Sequence, residues 1–178
     1  MICADARSDD GWVLEKSTTA DIDDLMSWFP EPEDINIWGG PSFRYPFTHN
    51  TFFEDVYWGR MASFSLRNPS GDFTAFGQVY ERIGRINFAR LVASPTMRGC
   101  GVGKRLVGML MIASRSLFSC DEYSLFVFRE NTPAYECYRS MGFVVRDYPE
   151  GVPHANVCYY LTRPVGIGQL QEGEENDQ

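Results

Sequence analysis

The spacing of hydrophobic residues changes several times along the chain, and each change predicts a new element. Four apolar residues near the N-terminus follow the i, i+3, i+4, i+7 spacing of an amphipathic helix: Ile22, Leu25, Met26 and Phe29. Thr18 and Asp21 have the spacing of a helix-capping pair, and Pro30 ends the helix. The pattern before Thr18 predicts a strand at residues 12–16.

The stretch that follows is rich in glycine and proline and predicts a loop containing Trp38. A second capping box, at residues 51–54, predicts a short second helix. From residue 61 the pattern becomes that of strands separated by turn residues. The further predicted strands are residues 61–66, 73–81, 86–93, 123–128, 143–148 and 157–162, and the further predicted helices are residues 101–116 and 133–141.

This order predicts a mixed α/β fold in one domain, residues 12–163. We expect residues 1–11 to be a flexible N-terminus and residues 164–178 to be a disordered acidic tail, because neither stretch has an apolar period. A chain of 178 residues is long enough for one sizeable core and too short for two domains.

Composition and charge exclude several classes of function. The formal net charge of −8 argues against nucleic acid as a partner, since nucleic acid is bound through an excess of Lys and Arg. No apolar run approaches the length of a membrane span, and no secretory signal begins the chain, so we expect a cytoplasmic protein. Five scattered cysteines and two histidines argue against a disulfide framework and against a metal site.

The richest chemistry lies in residues 91–104. Here a strand ends, the chain turns through three alternating glycines, and a helix begins. Glycines let a ligand approach the backbone closely, and a helix N-terminus offers unpaired N–H groups and a favourable dipole. Arg98 and Lys104 add positive charge, so this segment is a candidate site for a pyrophosphate.

Two other phosphate-binding loops do not fit these residues. A Walker A loop would need glycine in place of Arg98 and Ser or Thr in place of Arg105. A Rossmann fingerprint would need glycine in place of Lys104 or of Leu106.

The pattern that does fit is R-x-x-G-x-G at Arg98, Gly101 and Gly103. It resembles the acetyl-CoA motif of the GNAT superfamily of N-acetyltransferases. A second segment, residues 131–143, is similar to the family's N-x-x-A-x-x-x-Y-x-x-x-G-F sequence and contains Tyr138. The resemblance spans about residues 12–163, is specific only within residues 91–143, and is closest to bacterial small-molecule members.

The resemblance implies a GNAT fold: a mixed, mostly antiparallel central sheet of six to seven strands, flanked by four helices and splayed between the fourth and fifth strands. The co-substrate would be acetyl-CoA, with no metal, bound in the gap between residues 86–93 and 123–128. The residues that the resemblance assigns to acetyl-CoA are Leu91, Val92, Ala93, Arg98, Gly99, Cys100, Gly101, Val102, Gly103, Lys104, Asn131 and Tyr138.

By the same resemblance, Tyr138 is the catalytic residue that assists departure of the CoA thiolate. Many relatives carry a glutamate on the strand that corresponds to residues 86–93, and this chain has none there. The general base therefore stays open between Glu81, Glu54, His49 and a chain of water molecules.

The acceptor is expected to be a small molecule with a primary amine, attacked directly in a ternary complex. Residues 17–43 contain no Lys or Arg and six acids, which either form a solvated helix face or attract a cationic acceptor. Trp38 would either stack on that cation or fill the core. The alternative functions are a non-catalytic acyl-CoA sensor and a protein N-terminal or lysine acetyltransferase; whether the protein is a homodimer is left open.

Overall fold

The computed structural model describes residues 6–166 and has an eight-stranded sheet with the order β1-β2-β3-β4-β5-β6-β8-β7. The strands are β1 Ala6–Arg7, β2 Val13–Lys16, β3 Ala62–Arg67, β4 Phe73–Arg82, β5 Arg85–Ala93, β6 Glu122–Phe128, β7 Val144–Arg146 and β8 Cys158–Pro164. All neighbouring strands are antiparallel except β5 and β6, which are parallel. The sheet is therefore mixed and mostly antiparallel, as the sequence predicted.

Five α-helices pack on this sheet. They are α1 Thr19–Met26, α2 Pro32–Gly39, α3 His49–Asp55, α4 Val102–Ser114 and α5 Thr132–Ser140. A 3₁₀-helix, Pro95–Met97, connects β5 to the turn before α4.

The sheet has a separate hydrophobic core on each face. On one face, which we call the glycine-turn face, α4 and α5 cover apolar residues of β4, β5 and β6, among them Ile86, Phe88 and Leu125. On the other, which we call the aromatic face, α1, α2 and α3 enclose a cluster that includes Phe52 and Phe76. Alternate residues of one strand point to opposite faces, so β4 and β5 contribute to both cores.

The parallel pair β5 and β6 separates along its length, which confirms the predicted splay. The two strands pair only at Ile86, Asn87 and Phe88 of β5, opposite residues 123–125 of β6. Beyond that point β5 continues to Ala93 and β6 to Phe128 without pairing to each other. They form a V that is closed at Arg85 and open toward Ala93.

The structure differs from the sequence prediction at the N-terminal half. The sheet has one strand more than the predicted six to seven, because Ala6 and Arg7 pair with residues 13 and 14. These two residues lie within the stretch expected to be a flexible N-terminus. The acidic tail expected at residues 164–178 lies mostly outside the described residues.

The fifth helix, α2, occupies the stretch predicted to be a loop. Pro32 stands in its first turn, where a missing N–H is harmless, and Gly40 follows its C-terminus with a φ of 86°. The proline and glycine that indicated a loop are therefore the residues that begin and end a short helix. The cap of α3 also lies earlier than predicted: the capping box is formed by Thr48 and Thr51.

Candidate active site

A β-bulge shapes the open part of the V. Ala89 of β5 pairs with Gln78 and Val92 pairs with Phe76, so two residues of β5 stand opposite Gly77 of β4. Arg90, the first of the two, has a φ of 49°, which a side chain other than glycine rarely adopts. A Cβ at Gly77 would meet the Leu91 side chain at 2.8 Å, so the absence of a side chain there makes room for the bulge.

The bulge lies where β5 separates from β6. Beyond it, the backbone groups of β5 on the side of β6 are available to a ligand. Leu91, Val92 and Ala93 are half-buried; Val92 and Ala93 pair on one side only, with β4, and Leu91 belongs to the bulge. Their backbone groups that face β6 have no strand partner among the described residues. A row of unpaired N–H and C=O groups can bind an extended, strand-like ligand.

The turn predicted to bind pyrophosphate follows directly. Gly99 and Gly101 have φ values of 76° and 78°, and Gly101 is the N-cap of α4. A Cβ at Gly99, Gly101 or Gly103 would meet nothing within 4 Å, so the three glycines leave open space in front of the helix N-terminus. That space and the free N–H groups of the first turn of α4 suit an anion.

Of the three cations near this turn, two form no ion pair within residues 6–166 and one already does. Arg98 and Lys104 are exposed, and neither forms an ion pair within residues 6–166. Arg105 is already paired with Asp10 at 2.7 Å and stacks on the Trp12 ring. Arg98 and Lys104 are therefore the cations available to a phosphate here.

A cavity borders the turn. It has a volume of about 460 Å³ and extends from Gly101 and Lys104 along α4 to Trp12. It lies beside the turn and not in the V between β5 and β6, so it does not by itself outline an elongated ligand.

The second predicted segment forms α5. Asn131 is the N-cap, and its side-chain oxygen accepts a hydrogen bond from the backbone N–H of Ala134 at 3.3 Å. The amide NH2 of Asn131 and the second lone pair of its oxygen remain for a ligand. Gly142, with a φ of 85°, ends the helix, and the N–H of Phe143 donates to the carbonyl of Tyr138 at 3.1 Å.

Tyr138 lies on the side of α5 that faces the core. Its ring packs edge-on against Phe143 with centroids 6.3 Å apart and joins the same cluster as Leu91 and Ala93 of β5. Its hydroxyl has no hydrogen-bond partner within the described part of the chain. Burial, helped by the neighbouring Cys137, raises the pKa of Tyr138 above its ordinary value, so the hydroxyl stays protonated and can donate.

Cys137 and Cys100 do not act as activated nucleophiles in this arrangement. Burial raises the pKa of the Cys137 thiol, with Lys104 opposing that effect only in part. Cys100 is exposed, and its sulfur lies 3.7 Å from the carbonyl oxygen of Arg98. No histidine contacts either thiol among the described residues, so neither has the base that a cysteine nucleophile requires.

The aromatic face holds the residue for which the sequence left two roles open. Trp38 is half-buried and stacks on Phe29 with centroids 4.4 Å apart and on Phe52 at 6.0 Å, so its ring packs against the core of the aromatic face. Its indole N–H donates to the backbone carbonyl of Arg90 at 2.7 Å. Trp38 therefore connects α2 to the bulge of β5.

Arg90 itself is a residue whose importance the sequence did not reveal. One of its terminal nitrogens donates to the side-chain oxygen of Gln78 at 3.0 Å and the other to the backbone carbonyl of Asp55 at 3.1 Å. Its guanidinium lies over the Tyr57 ring, and its buried Nε has no partner in the described part of the chain. Burial lowers the pKa of Arg90, with the tyrosines and Asp55 opposing the shift. An arginine in an apolar strand opposite a strand glycine is the signal that could have identified it.

The three side chains considered as general base are either remote from the open end of the V or already held in an ion pair. Glu81 pairs with Ile86 near the closed end, about 20 Å along the strand from Val92. Glu54 is bound by Arg44 at 2.6 Å, and His49 by Asp23 at 3.0 Å. The polar side chains on the aromatic face of β4 and β5 here, Gln78 and Arg90, are not carboxylates.

The six acids of the N-terminal region divide into two groups. Asp21 is buried and paired with Arg67 at 2.6 Å, and Asp23 is paired with His49. The remaining four have no ion-pair partner within the described residues: Asp24, Glu31, Glu33 and Asp34. Three of these four, Glu31, Glu33 and Asp34, lie together at the N-terminal end of α2, the opposite end of that helix from Trp38.

The structure adds two negative observations. Among residues 6–166, no group of three or more His, Cys, Asp and Glu side chains is arranged to hold a metal ion. No helix in the same residues is long and apolar enough to cross a membrane.

Comparison with known proteins agrees with this geometry. A family model described as "Acetyltransferase (GNAT) family" matches residues 23–143, which include β5, the glycine turn and α5.

Solved structures match over most of the chain. A spermidine N-acetyltransferase from Vibrio cholerae, in complex with CoA and spermine, is 14% identical, with a TM-score of 0.67 over 87% of this chain and 96% of that one. A dodecameric structure of the V. cholerae enzyme is 13% identical and has a TM-score of 0.59 over 86% and 94%. A domain from Methanocaldococcus jannaschii is 10% identical and has a TM-score of 0.68 over 86% and 97%. At these identities the likeness shows the fold.

Proposed function

The chain belongs to the acetyltransferase (GNAT) family and is an acetyl-CoA-dependent N-acetyltransferase; we propose that it transfers the acetyl group to the primary amine of a small cationic acceptor. The observation that carries this proposal is the V between β5 and β6, which has unpaired backbone on β5 and leads to a glycine turn at a helix N-terminus.

The co-substrate fits the residues around the V. The pantetheine arm, an extended chain with two amide groups, would pair with the free backbone groups of Leu91, Val92 and Ala93. The pyrophosphate would lie on the N–H groups of residues 99–104, with Arg98 and Lys104 supplying charge. Asn131 would reach the arm from α5 through its free amide NH2.

The acetyl transfer needs no covalent enzyme intermediate. The amine nitrogen attacks the thioester carbonyl, a C–N bond forms, and the C–S bond breaks when the tetrahedral intermediate collapses. A backbone N–H near Val92 would stabilise the negative charge on the oxygen of that intermediate. The bulge fixes the direction of these N–H groups, and Trp38 fixes the bulge.

Tyr138 assists the leaving group as a hydrogen-bond donor. An ordinary tyrosine has a pKa of about 10 and a thiol one of about 8.5, so full proton transfer to the thiolate is uphill by roughly 2 kcal/mol. Burial makes the transfer still less favourable here, since it raises the pKa of Tyr138 further. The hydroxyl therefore stabilises the thiolate by a charge-assisted hydrogen bond and does not give up its proton first.

The proton of the attacking amine goes to water in this proposal. Glu81 is remote, and Glu54 and His49 are each engaged in an ion pair, so none of the three is a free base for the acceptor amine. A water chain along the aromatic face can carry the proton to solvent.

The acceptor is proposed to be cationic for two reasons. Four acids without ion pairs, three of them on α2, give the acceptor side a negative potential that attracts cations. Structural neighbours bind or acetylate spermidine and spermine, which are small amines. The buried Arg90 opposes a second positive charge close to the bulge, so the cationic end away from the reacting amine would lie toward α2.

The experiment is an acetyl-CoA turnover assay that measures release of free thiol over a panel of amines: polyamines, aminoglycosides, amino acids and peptides with free N-termini. The proposal expects turnover with one of the first two classes. Tight CoA binding with no turnover on any amine would instead support an acyl-CoA sensor, which the lack of a carboxylate on β5 favours. Turnover on peptides alone would indicate a protein acetyltransferase.

A further inference from the structure

A second cavity, of about 480 Å³, opens at the closed end of the V. It is lined by Arg85 at the start of β5, by Glu122 at the start of β6 and by the residues that follow β7. Arg85 is seven residues from Val92 along β5, a separation of about 20 Å. The cavity is therefore distinct from the acetyl-transfer site proposed above.

The charges of this cavity are balanced but not all paired. Arg85 and Glu122 neutralise each other through a bond of 2.7 Å. Arg146 and Asp147 also line the cavity, and neither forms an ion pair within residues 6–166. The one side-chain bond of Arg146, from its Nε to the Thr162 hydroxyl at 3.4 Å, leaves its two terminal nitrogens free.

A buried hydroxyl whose proton has no acceptor lies in the same wall. Tyr160 is 4% exposed and lines the cavity. Its hydroxyl oxygen lies beside Arg85, whose pKa it helps to raise, and no acceptor for its proton lies in the described part of the chain. A buried polar group without a hydrogen bond is unfavourable, so such groups often mark the place where a ligand or water binds.

The remaining wall is apolar. Ile83, which is 48% exposed on the β4–β5 turn, and Pro149 complete the lining. The cavity thus combines one free cation, one free carboxylate, one hydroxyl proton without an acceptor and an apolar surface. A simple anion would satisfy Arg146 and Tyr160 but would be repelled by Asp147 and Glu122.

We propose that this cavity binds a small zwitterion, an α-amino acid with an apolar side chain. Its carboxylate would accept hydrogen bonds from Arg146 and Tyr160, its ammonium group would lie against Asp147, and its side chain would contact Ile83 and Pro149. The ligand would be bound and not acetylated, because its amine would be about 20 Å from the thioester.

Calorimetry on the full chain saturated with CoA tests this without any turnover. The probes are L-leucine, L-methionine and L-phenylalanine, and the controls are 4-methylpentanoate, which lacks the ammonium group of leucine, and 3-methylbutylamine, which lacks its carboxylate. We expect one molecule of at least one amino acid per chain, and binding weaker by about 10-fold or more for leucine's two analogues if leucine binds.

Variants locate the site. Arg146→Gln and Asp147→Asn change exposed residues and should each weaken binding by about 10-fold, and Tyr160→Phe by about 3-fold to 10-fold. Arg60→Gln removes the same charge from an exposed arginine elsewhere and should change nothing.

The proposal is overturned if none of the three amino acids binds with a 1:1 stoichiometry up to about 10 mM. It is equally overturned if binding survives Arg146→Gln and Asp147→Asn unchanged, which would place the amino acid at the acceptor site. Circular dichroism and CoA affinity, which should match those of the wild type, show that each variant is folded.

Discussion

On the glycine-turn face, α4 and α5 lie beside the proposed acetyl-CoA site, which consists mostly of backbone groups, whereas on the aromatic face α1, α2 and α3 enclose a group of side chains. The first uses the unpaired edge of β5 and the N–H groups of residues 99–104, within one short stretch of chain. The second brings Trp38, Tyr57, Gln78 and Arg90 together from four separate elements and connections.

This difference has a functional reason. A phosphate-bearing co-substrate can be held by backbone N–H groups, which need only glycines and a helix start and do not depend on the identity of side chains. An acceptor must be distinguished from other amines, and only side chains supply that selectivity. Changes on the glycine-turn face should therefore affect CoA binding or the chemical step, and changes on the aromatic face should affect selectivity and stability.

The largest effect is expected from a charge placed in the glycine turn. Gly103 has no positive φ and no neighbour within 4 Å of a Cβ, so Gly103→Asp adds charge without backbone strain. Repulsion of the pyrophosphate should lower CoA affinity by about 100-fold or more. Calorimetry measures this, and Gly103→Asn, of equal size and neutral, should lose much less. Equal losses in both variants would mean that the pyrophosphate does not lie here.

The next largest effect is expected on kcat, through the group that assists departure of the CoA thiolate. Tyr138→Phe keeps the ring against Phe143 and removes the hydroxyl, so kcat should fall by about 100-fold while CoA affinity stays nearly unchanged. Turnover at the wild-type rate in this variant would mean that water or another group, and not Tyr138, stabilises the departing thiolate.

The pH dependence gives a further check on Tyr138. Because burial raises its pKa above about 10, the hydroxyl is protonated throughout the range below that value. The dependence of kcat on pH up to about pH 10 should therefore have the same shape in the wild type and in Tyr138→Phe, at different absolute rates. A loss of activity below pH 10 that the variant abolishes would show that Tyr138 ionises there.

Loss of the hydrogen bond that connects Trp38 of α2 to the bulge of β5 should have an intermediate effect on activity. Trp38→Phe keeps an aromatic ring in the core and removes the bond to the Arg90 carbonyl, so the free energy of unfolding should fall by about 1 kcal/mol. If that bond holds the bulge, kcat/KM should also fall, by about 10-fold, with CoA affinity little changed. Phe43→Leu, a change in the same cluster without that bond, is the control; an equal loss of kcat/KM there would leave Trp38 a packing role only.

The smallest effect is expected from the acids of the aromatic face. Glu31→Gln, Glu33→Gln and Asp34→Asn combined should lower kcat/KM for a cationic acceptor by about 2-fold to 5-fold, and rising salt should reduce the difference. A matched triple change of exposed acids elsewhere, Glu130→Gln, Glu136→Gln and Glu150→Gln, should have less effect. A kcat/KM that does not change with salt would mean that the α2 acids only form a solvated helix face and do not attract the acceptor.

The sequence by itself determined the succession of strands along the chain, the long helix α4, the glycine turn and α5. These features depend on local rules, namely hydrophobic period, caps and turn glycines, which a short stretch of sequence carries complete. The family resemblance came from the same local stretches, because a backbone-binding site leaves its glycines close together in sequence.

Only the tertiary structure decided the rest. Trp38 could be assigned to the core, Arg90 to a buried position at the bulge, and Glu81 to the closed end of the V only after distant segments had been brought together. Tyr160 and Arg146 likewise share a cavity with Arg85 because β8 lies between β6 and β7. Side-chain contacts between separate elements depend on which face each strand residue takes and on strand order, and neither is written in the local sequence.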